Sequence, residues 1–224
     1  MSIVQSVKRN VQNRGNGTAT LFGDRRRSWG ELRERVARLA GGLKSLGVAA
    51  GDRVAILALN SDRYLEAYVA VPWAGAVIVP LNIRWSPAEL AYALNDSGAC
   101  ALVVDDASLK HAAPLQGEAG TLRSIIYIGD AVAPAGLVGY EALIEAHSPL
   151  PDAGKGGEDL AGIFYTGGTT GFPKGVDAVA PQSMVECDGM ARRRRTERAE
   201  GHAACGADVS SGRRRPDHWR VAHR

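Results

Sequence analysis

Residues 86–106 read SPAELAYALNDSGACALVVDD, a stretch that predicts one helix followed at once by one strand. Ser86 and Glu89 have the S-x-x-E spacing of a capping box, and Pro87 stands at the first helical position, where no backbone N–H is needed. CALVVDD, residues 100–106, is a short apolar run with the character of a buried strand. An amphipathic helix joined directly to a buried strand is the repeating unit of a parallel sheet.

The same alternation extends along most of the chain. Residues 28–47 predict a helix in which Ser28 and Glu31 form a second capping box and Gly47 can supply the left-handed residue that ends it. One apolar stripe follows this helix: Leu32, Val36, Leu39, Leu43 and Leu46. Further helices are predicted over residues 61–75 and 140–147, and further strands over residues 52–59, 76–80, 123–129 and 160–166. The predicted fold class is therefore α/β, with a parallel sheet covered on both faces.

Composition sets outer bounds on the kind of protein. The chain has 224 residues, of which 45% are hydrophobic and 23% charged, as in a globular protein of one or two domains. MSIVQSVKRN at the N-terminus has no apolar run of signal-peptide length, and no stretch approaches the ~20 apolar residues of a membrane span. Cys100, Cys187 and Cys205 are too scattered for a disulfide framework or a zinc site. We expect a cytoplasmic protein without a transmembrane segment and without a metal site.

Charge and pattern both change near Val176. Residues 1–176 carry 17 Lys and Arg against 17 acidic residues, whereas residues 177–224 carry 10 Arg against 7 acidic residues. The latter segment includes the run Arg192–Arg195, has few large apolar side chains and shows no helical or strand periodicity. We therefore expect residues 177–224 to be a disordered, Arg-rich tail.

A loop rich in glycine and threonine, TGGTTGFPKG at residues 166–175, follows the last predicted strand. Its glycines let backbone N–H groups approach anionic oxygens, its threonine hydroxyls can donate hydrogen bonds, and its lysine supplies positive charge. The candidate phosphate-binding residues are Thr166, Gly167, Gly168, Thr169, Thr170, Gly171 and Lys174. The alternative is an ordinary flexible loop with a solvated lysine.

Two familiar phosphate loops do not match this one. A Walker A loop ends in Gly-Lys-Ser/Thr, whereas here Pro173 precedes Lys174 and Gly175 follows it, so no hydroxyl adjoins the lysine to bind magnesium. A dinucleotide fingerprint also fails, because no GxGxxG opens a helix after the first strand.

YTGGTTGFPKG resembles the phosphate-loop signature of the AMP-forming acyl-CoA synthetases, a group within the adenylate-forming superfamily. Residues 28–57 and 74–106 also resemble segments that these enzymes carry upstream of the loop. The resemblance implies an ATP-dependent acyl-CoA ligase. The candidate residues would hold the β- and γ-phosphates of ATP while a small-molecule carboxylate attacks the α-phosphorus, and CoA would then capture the acyl group. ATP, Mg²⁺ and CoA are the implied cofactors, and no nucleic-acid partner is expected.

The resemblance ends at Val176. It implies that residues 1–176 are the N-terminal part of an AMP-binding domain and that residues 177–224 are a separate tail. Family members carry the adenine and acyl pockets, the magnesium-binding glutamate and a catalytic lysine beyond this point, and we find none of them in the tail. We expect a truncated, inactive fragment with no catalytic residue. The alternative is a noncatalytic nucleotide- or anion-binding module whose runs Arg192–Arg195 and Arg213–Arg215 form a nucleic-acid-binding arm.

A frameshift accounts for the change at Val176. The codons of residues 177–180 (Asp-Ala-Val-Ala), read one base later, permit Met-Leu-Ser-His, with which the family commonly continues. In the same shifted frame, Met184 and Val185 must yield tryptophan, and residues 202–212 permit a sequence similar to the family's next motif. Our hypothesis is a single inserted base after the Val176 codon.

Overall fold

The computed structural model describes residues 2–166 and 172–179 and the backbone of residues 219–221. Its helices are α1 (Ile3–Arg14), α2 (Trp29–Ser45), α3 (Asp62–Trp73), α4 (Pro87–Ser97), α5 (Ala112–Glu118, after a 3₁₀ turn at Leu109–His111) and α6 (Tyr140–Ala146). Its strands are β1 (Thr18–Phe22), β2 (Arg25–Ser28), β3 (Arg53–Leu57), β4 (Val77–Pro80), β5 (Ala99–Val104), β6 (Ser124–Tyr127), β7 (Val138–Gly139), β8 (Leu160–Thr166), β9 (Lys174–Val179) and β10 (Trp219–Val221).

The predicted helix caps are present. Ser28 and Ser86 each accept a hydrogen bond from the backbone N–H of the glutamate three residues on, and each glutamate carboxylate accepts one in return from the serine N–H. The backbone turns into the left-handed region at Gly47, just after α2, and at Gly98, the C-cap of α4. Local sequence thus sets where these helices begin and end.

Seven strands form the main sheet, in the order β7-β6-β5-β3-β4-β8-β9. All neighbouring pairs are parallel except β8 and β9, which are antiparallel and form a hairpin at one edge. From β3 the chain runs to β4 on one side, crosses to β5, β6 and β7 on the other, and returns to place β8 beside β4.

Helices cover both faces of this sheet. Alternate strand residues point to opposite faces, so Val54 and Ile56 pack with α1, α2, α3 and α6, whereas Ala55 and Leu57 pack with α4 and α5. The two hydrophobic clusters that result lie on either side of the parallel strands. The predicted α/β fold with a doubly covered parallel sheet is confirmed.

The sequence did not predict α1 or the small sheet β10-β1-β2. Strand β2 reads Arg-Arg-Arg-Ser, which has no apolar alternation. Two of its arginines instead form ion pairs with carboxylates of α3: Arg25 with Asp62, and Arg27 with Glu66 at 3.9 Å. A strand stabilised by ion pairs has no hydrophobic pattern from which it could be predicted.

Six residues of the segment 177–224 lie in strands. Asp177–Val179 continue β9 opposite β8, and Trp219–Val221 pair antiparallel with β1. Both pieces add to an exposed strand edge, where backbone hydrogen bonds require no apolar pattern. Most of the segment, including both arginine runs, lies outside the described residues, so its disorder and the boundary at Val176 stay predictions.

None of the helices in the part of the chain that the structure describes has both the length and the apolar character needed to cross a lipid bilayer.

Candidate functional site

The glycine-threonine loop connects β8 to β9. Thr166, the last residue of β8, lies directly opposite Lys174, the first residue of β9, and Tyr165 lies opposite Gly175. The Thr166 hydroxyl also donates a long hydrogen bond of 3.5 Å to the carbonyl oxygen of Lys174. Strand pairing therefore brings together the two ends of the loop and, with them, two of the predicted phosphate ligands.

Both of these ligands are exposed to solvent. Within residues 2–166 and 172–179, no carboxylate lies within ion-pair distance of the Lys174 ammonium. A compact, unpaired ammonium next to a hydroxyl can bind an anionic oxygen without first breaking an internal ion pair. The other candidates lie outside the described residues, and their role stays a prediction: Gly167, Gly168, Thr169, Thr170 and Gly171.

Thr166, where the loop begins, ends β8 at the carboxyl edge of the parallel sheet. β8 runs parallel to β4, with Gly162 paired to Ile78. A Cβ added at Gly162 would lie 2.8 Å from the Phe164 ring and 3.0 Å from Cγ2 of Ile78, so a glycine is needed where these two strands approach. Open α/β sheets bind their ligands outside the carboxyl ends of their strands, and β8 delivers the loop to that edge.

Tyr165, the residue before Thr166, connects the hairpin to α4. Its hydroxyl donates to Oδ2 of Asp96 at 2.6 Å and to the carbonyl oxygen of Ala93 at 3.3 Å. Its ring meets that of Trp85 edge-on, with 6.1 Å between the centroids. Burial, and then the Asp96 carboxylate, raise the pKa of Tyr165 above its ordinary value, so the phenol stays protonated and remains a donor.

Phe172 contacts α4 from the other end of the loop. Its ring stacks on Tyr92 at 4.8 Å between centroids and 26° between planes. At Gly175, an added Cβ would lie 3.1 Å from Cγ2 of Ile163 and 3.2 Å from the Tyr165 ring, so this glycine makes room for the tyrosine.

Sequence reasoning did not identify Tyr92 or Asp96 as the partners of Phe172 and Tyr165. The only local signal was an exposed aromatic residue on the polar face of a predicted helix. Such a signal does not say which distant segment the ring contacts.

No other chemical centre is apparent among the described residues. In residues 2–166 and 172–179, no three His, Cys, Asp or Glu side chains converge as metal ligands would. Cys100 is buried, with its sulfur 3.7 Å from Oδ2 of Asp52, and burial raises the pKa of its thiol, which therefore lacks the thiolate character of a reactive cysteine.

The fold and the site define an α/β protein with a Gly/Thr loop and an exposed lysine at the carboxyl edge of a parallel sheet. The family model of the AMP-binding enzymes matches residues 7–201, and the chain belongs to this family.

Curated relatives and solved structures agree with this assignment. The chain is similar to a long-chain-fatty-acid–CoA ligase of Thermus thermophilus, with 43% identity over 152 residues, which cover 67% of this chain and 27% of the relative. It is also similar to a feruloyl-CoA synthase of an Amycolatopsis species, with 41% identity over 160 residues, which cover 71% of this chain and 30% of the relative. An anthranilate CoA ligase solved in complex with anthranoyl-AMP superimposes with a TM-score of 0.76 at 28% identity, over 80% of this chain and 35% of that one.

The resemblance to acyl-CoA ligases inferred from the loop is thus confirmed. The chain spans 27–30% of the length of these two curated relatives, and its fold corresponds to the N-terminal portion of such enzymes.

Proposed function

We propose that this chain is the part of an ATP-dependent acyl-CoA ligase that binds the phosphates of ATP. The observation that carries the proposal is Lys174, which has no ion-pair partner within the described residues and faces Thr166 at the mouth of the β8–β9 hairpin. Membership of the AMP-binding enzymes and similarity to ligases that join acids to CoA support the same reaction class.

In the proposed reaction, a carboxylate oxygen attacks the α-phosphorus of ATP. The bond from that phosphorus to the bridging oxygen breaks, and pyrophosphate leaves with the electron pair, giving an acyl-AMP. The CoA sulfur then attacks the acyl carbon, the bond from that carbon to the AMP phosphate oxygen breaks, and AMP leaves with the electron pair while the thiol proton passes to solvent. Lys174 and the Thr166 hydroxyl would hold the β- and γ-phosphates and balance the charge that develops on pyrophosphate.

Mg²⁺ and CoA, two of the implied cofactors, have no residues assigned to them in the described part of the chain. The described residues contain no convergent set of carboxylates for Mg²⁺, and we derive no step through the ion. No group in them is assigned to CoA. The two curated relatives are named for long-chain fatty acids and for ferulate, so the substrate is proposed only as a small-molecule carboxylate. A cytoplasmic location stays a prediction.

We further propose that the 224-residue chain binds nucleotide without completing the ligase reaction. Most of each curated relative lies outside the matched region, and the sequence after Val176 lacks the family's later motifs. The inserted base after the Val176 codon is our explanation. Resequencing an independent template tests it: a frame that continues into Met-Leu-Ser-His supports the insertion, whereas the present frame together with a stable product of this length contradicts it.

Removing the Lys174 charge tests the phosphate role. We expect Lys174→Ala to weaken ATP and pyrophosphate binding by about tenfold to a hundredfold, because a hydrogen bond to a charged group contributes roughly 1.5–3 kcal/mol. Isothermal titration calorimetry on the 224-residue chain measures this effect. Lys155→Ala is the matched control, since Lys155 is ion-paired with Asp159 outside the hairpin. Equal affinity of Lys174→Ala and the wild type would remove the proposed role.

A further inference from the structure

We propose that α4 is the rigid support of the phosphate loop, and that Tyr92 and Asp96 on its exposed face are positioning residues for Thr166 and Lys174. The inference rests on the proposed function, because it concerns how the same loop is held for nucleotide binding. Tyr165 and Phe172, which flank the loop, make the contacts.

The first contact fixes the β8 end of the loop. The Tyr165 hydroxyl forms a 2.6 Å hydrogen bond to Oδ2 of Asp96. Thr166, the first predicted phosphate ligand, is the next residue in the chain, so this hydrogen bond restrains its position. The Tyr92 hydroxyl donates to Oδ1 of the same carboxylate at 3.5 Å. Within the described residues, Asp96 forms no ion pair, so its two oxygens serve these tyrosines.

The second contact fixes the β9 end. Phe172 precedes Lys174 by two residues, and its ring lies on Tyr92. Phe172 is 56% exposed and Tyr92 37% exposed, so this pair of rings meets at the surface, outside both hydrophobic clusters. Tyr92 and Asp96 are four residues apart and therefore adjacent on one helix face. One turn of α4 thus holds both ends of the loop.

α4 can serve as a support because it is fixed independently of the hairpin. Ser86 and Glu89 cap its N-terminus, Gly98 ends it, and Leu90 and Leu94 are fully buried in the cluster on that face of the sheet. The hairpin has less support of its own, since Lys174–Asp177 on the edge strand β9 are exposed. The contacts to Tyr92 and Asp96 therefore order the hairpin rather than the helix.

The test measures loop order and nucleotide binding separately, using the full chain. Tyr165→Phe removes the donor, Asp96→Ala removes the acceptor, and Tyr64→Phe is the control, because it loses the same hydroxyl from α3, where Tyr64 stacks on Tyr68. Hydrogen–deuterium exchange reports loop order. We expect the backbone amide hydrogens at the strand pairs Tyr165–Gly175 and Thr166–Lys174 to exchange with solvent about tenfold faster in both test variants. The exchange of α4 amides and the thermal midpoint should stay unchanged. ATP affinity should fall by up to about tenfold.

The outcomes separate this inference from the proposed function. Wild-type exchange rates at the hairpin amides, or wild-type ATP affinity in both Tyr165→Phe and Asp96→Ala, would overturn it. If ATP binds, Lys174→Ala weakens that binding, and Tyr165→Phe and Asp96→Ala bind ATP as the wild type does, the proposed function stands and the positioning role fails. If the wild-type chain does not bind ATP, the proposed function fails by that titration alone, and hairpin exchange still decides whether α4 orders the loop.

Discussion

Two glycines in the β8–β9 hairpin are required for contact rather than for an unusual backbone conformation. Gly162 lets β8 approach Ile78 of β4, and Gly175 lets the Tyr165 ring lie across the strand pair. Neither has a positive φ. A side chain at position 175 would crowd both Ile163, at 3.1 Å, and the Tyr165 ring, at 3.2 Å.

We expect Gly162→Ala to destabilise the fold by about 1–3 kcal/mol, because the new methyl group overpacks the contact with Phe164 and Ile78. The free energy of unfolding in urea measures the effect. Gly117→Ala in α5 is the control: a Cβ there meets no atom within 4 Å, so stability should be unchanged or rise by about 0.5–1 kcal/mol. A Gly162→Ala protein as stable as the control would show that β8 can shift to admit a methyl group.

Three helices on one face of the sheet are joined by a partly buried group of charges. Arg35 of α2 binds Glu66 of α3 through two hydrogen bonds of 2.8 and 3.0 Å and contacts Glu141 of α6 at 2.9 Å. The Tyr140 hydroxyl donates to Glu66 at 2.9 Å, and burial together with this carboxylate raises the pKa of the phenol well above its ordinary value. Glu66 is fully buried, so its charge depends on these partners.

Replacing Arg35 alone should lower the free energy of unfolding more than replacing Arg35 and Glu66 together. We expect Arg35→Met to destabilise the protein by about 3 kcal/mol or more, because the buried Glu66 carboxylate loses its main counter-charge. Arg27, at 3.9 Å from Glu66, is too far to replace it. Arg35→Met combined with Glu66→Leu should recover part of that loss, since the fully buried carboxylate is gone, although Arg27 then also loses its 3.9 Å contact with Glu66. Urea denaturation of both variants measures the difference. A double variant less stable than Arg35→Met would contradict this account.

At the scale of the whole molecule, ion pairs connect the small sheet to the main one. Arg25 on β2 binds Asp62 at the start of α3 and Asp130 after β6, and Arg63 binds Asp130 and Glu141. Burial alone would raise the pKa of Glu141, but the guanidinium groups of Arg35 and Arg63 outweigh it and lower that pKa below its ordinary value of 4.5. The carboxylate that joins α6 to Arg35 of α2 and Arg63 of α3 is therefore held in its ionised form.

Acid should weaken the ion pairs that Glu141 of α6 forms with Arg35 and Arg63. Because the folded-state pKa of Glu141 is below the unfolded value, its stabilising contribution is complete above about pH 4.5 and is lost as the pH falls through the folded-state pKa. Glu141→Gln should therefore lower stability near pH 7 and make it less dependent on pH below 4.5. Denaturation midpoints across this range measure both effects.

Glu145→Gln is the control, since Glu145 is an exposed residue of α6 that makes no ion pair within the described part of the chain. Parallel pH profiles for the wild type and Glu141→Gln would refute the assignment.

The sequence by itself determined the repeating helix–strand unit, the start of two helices at Ser28 and Ser86, and the family resemblance that the glycine loop carries. These features depend on residues a few positions apart, whose spacing is visible in the chain. Only the tertiary structure decided that β8 lies beside β4, that the arginines of β2 form ion pairs with α3, and that Tyr165 and Phe172 contact α4. Tyr165 and Asp96 are 69 residues apart, and their contact exists only because the sheet brings β8 past α4.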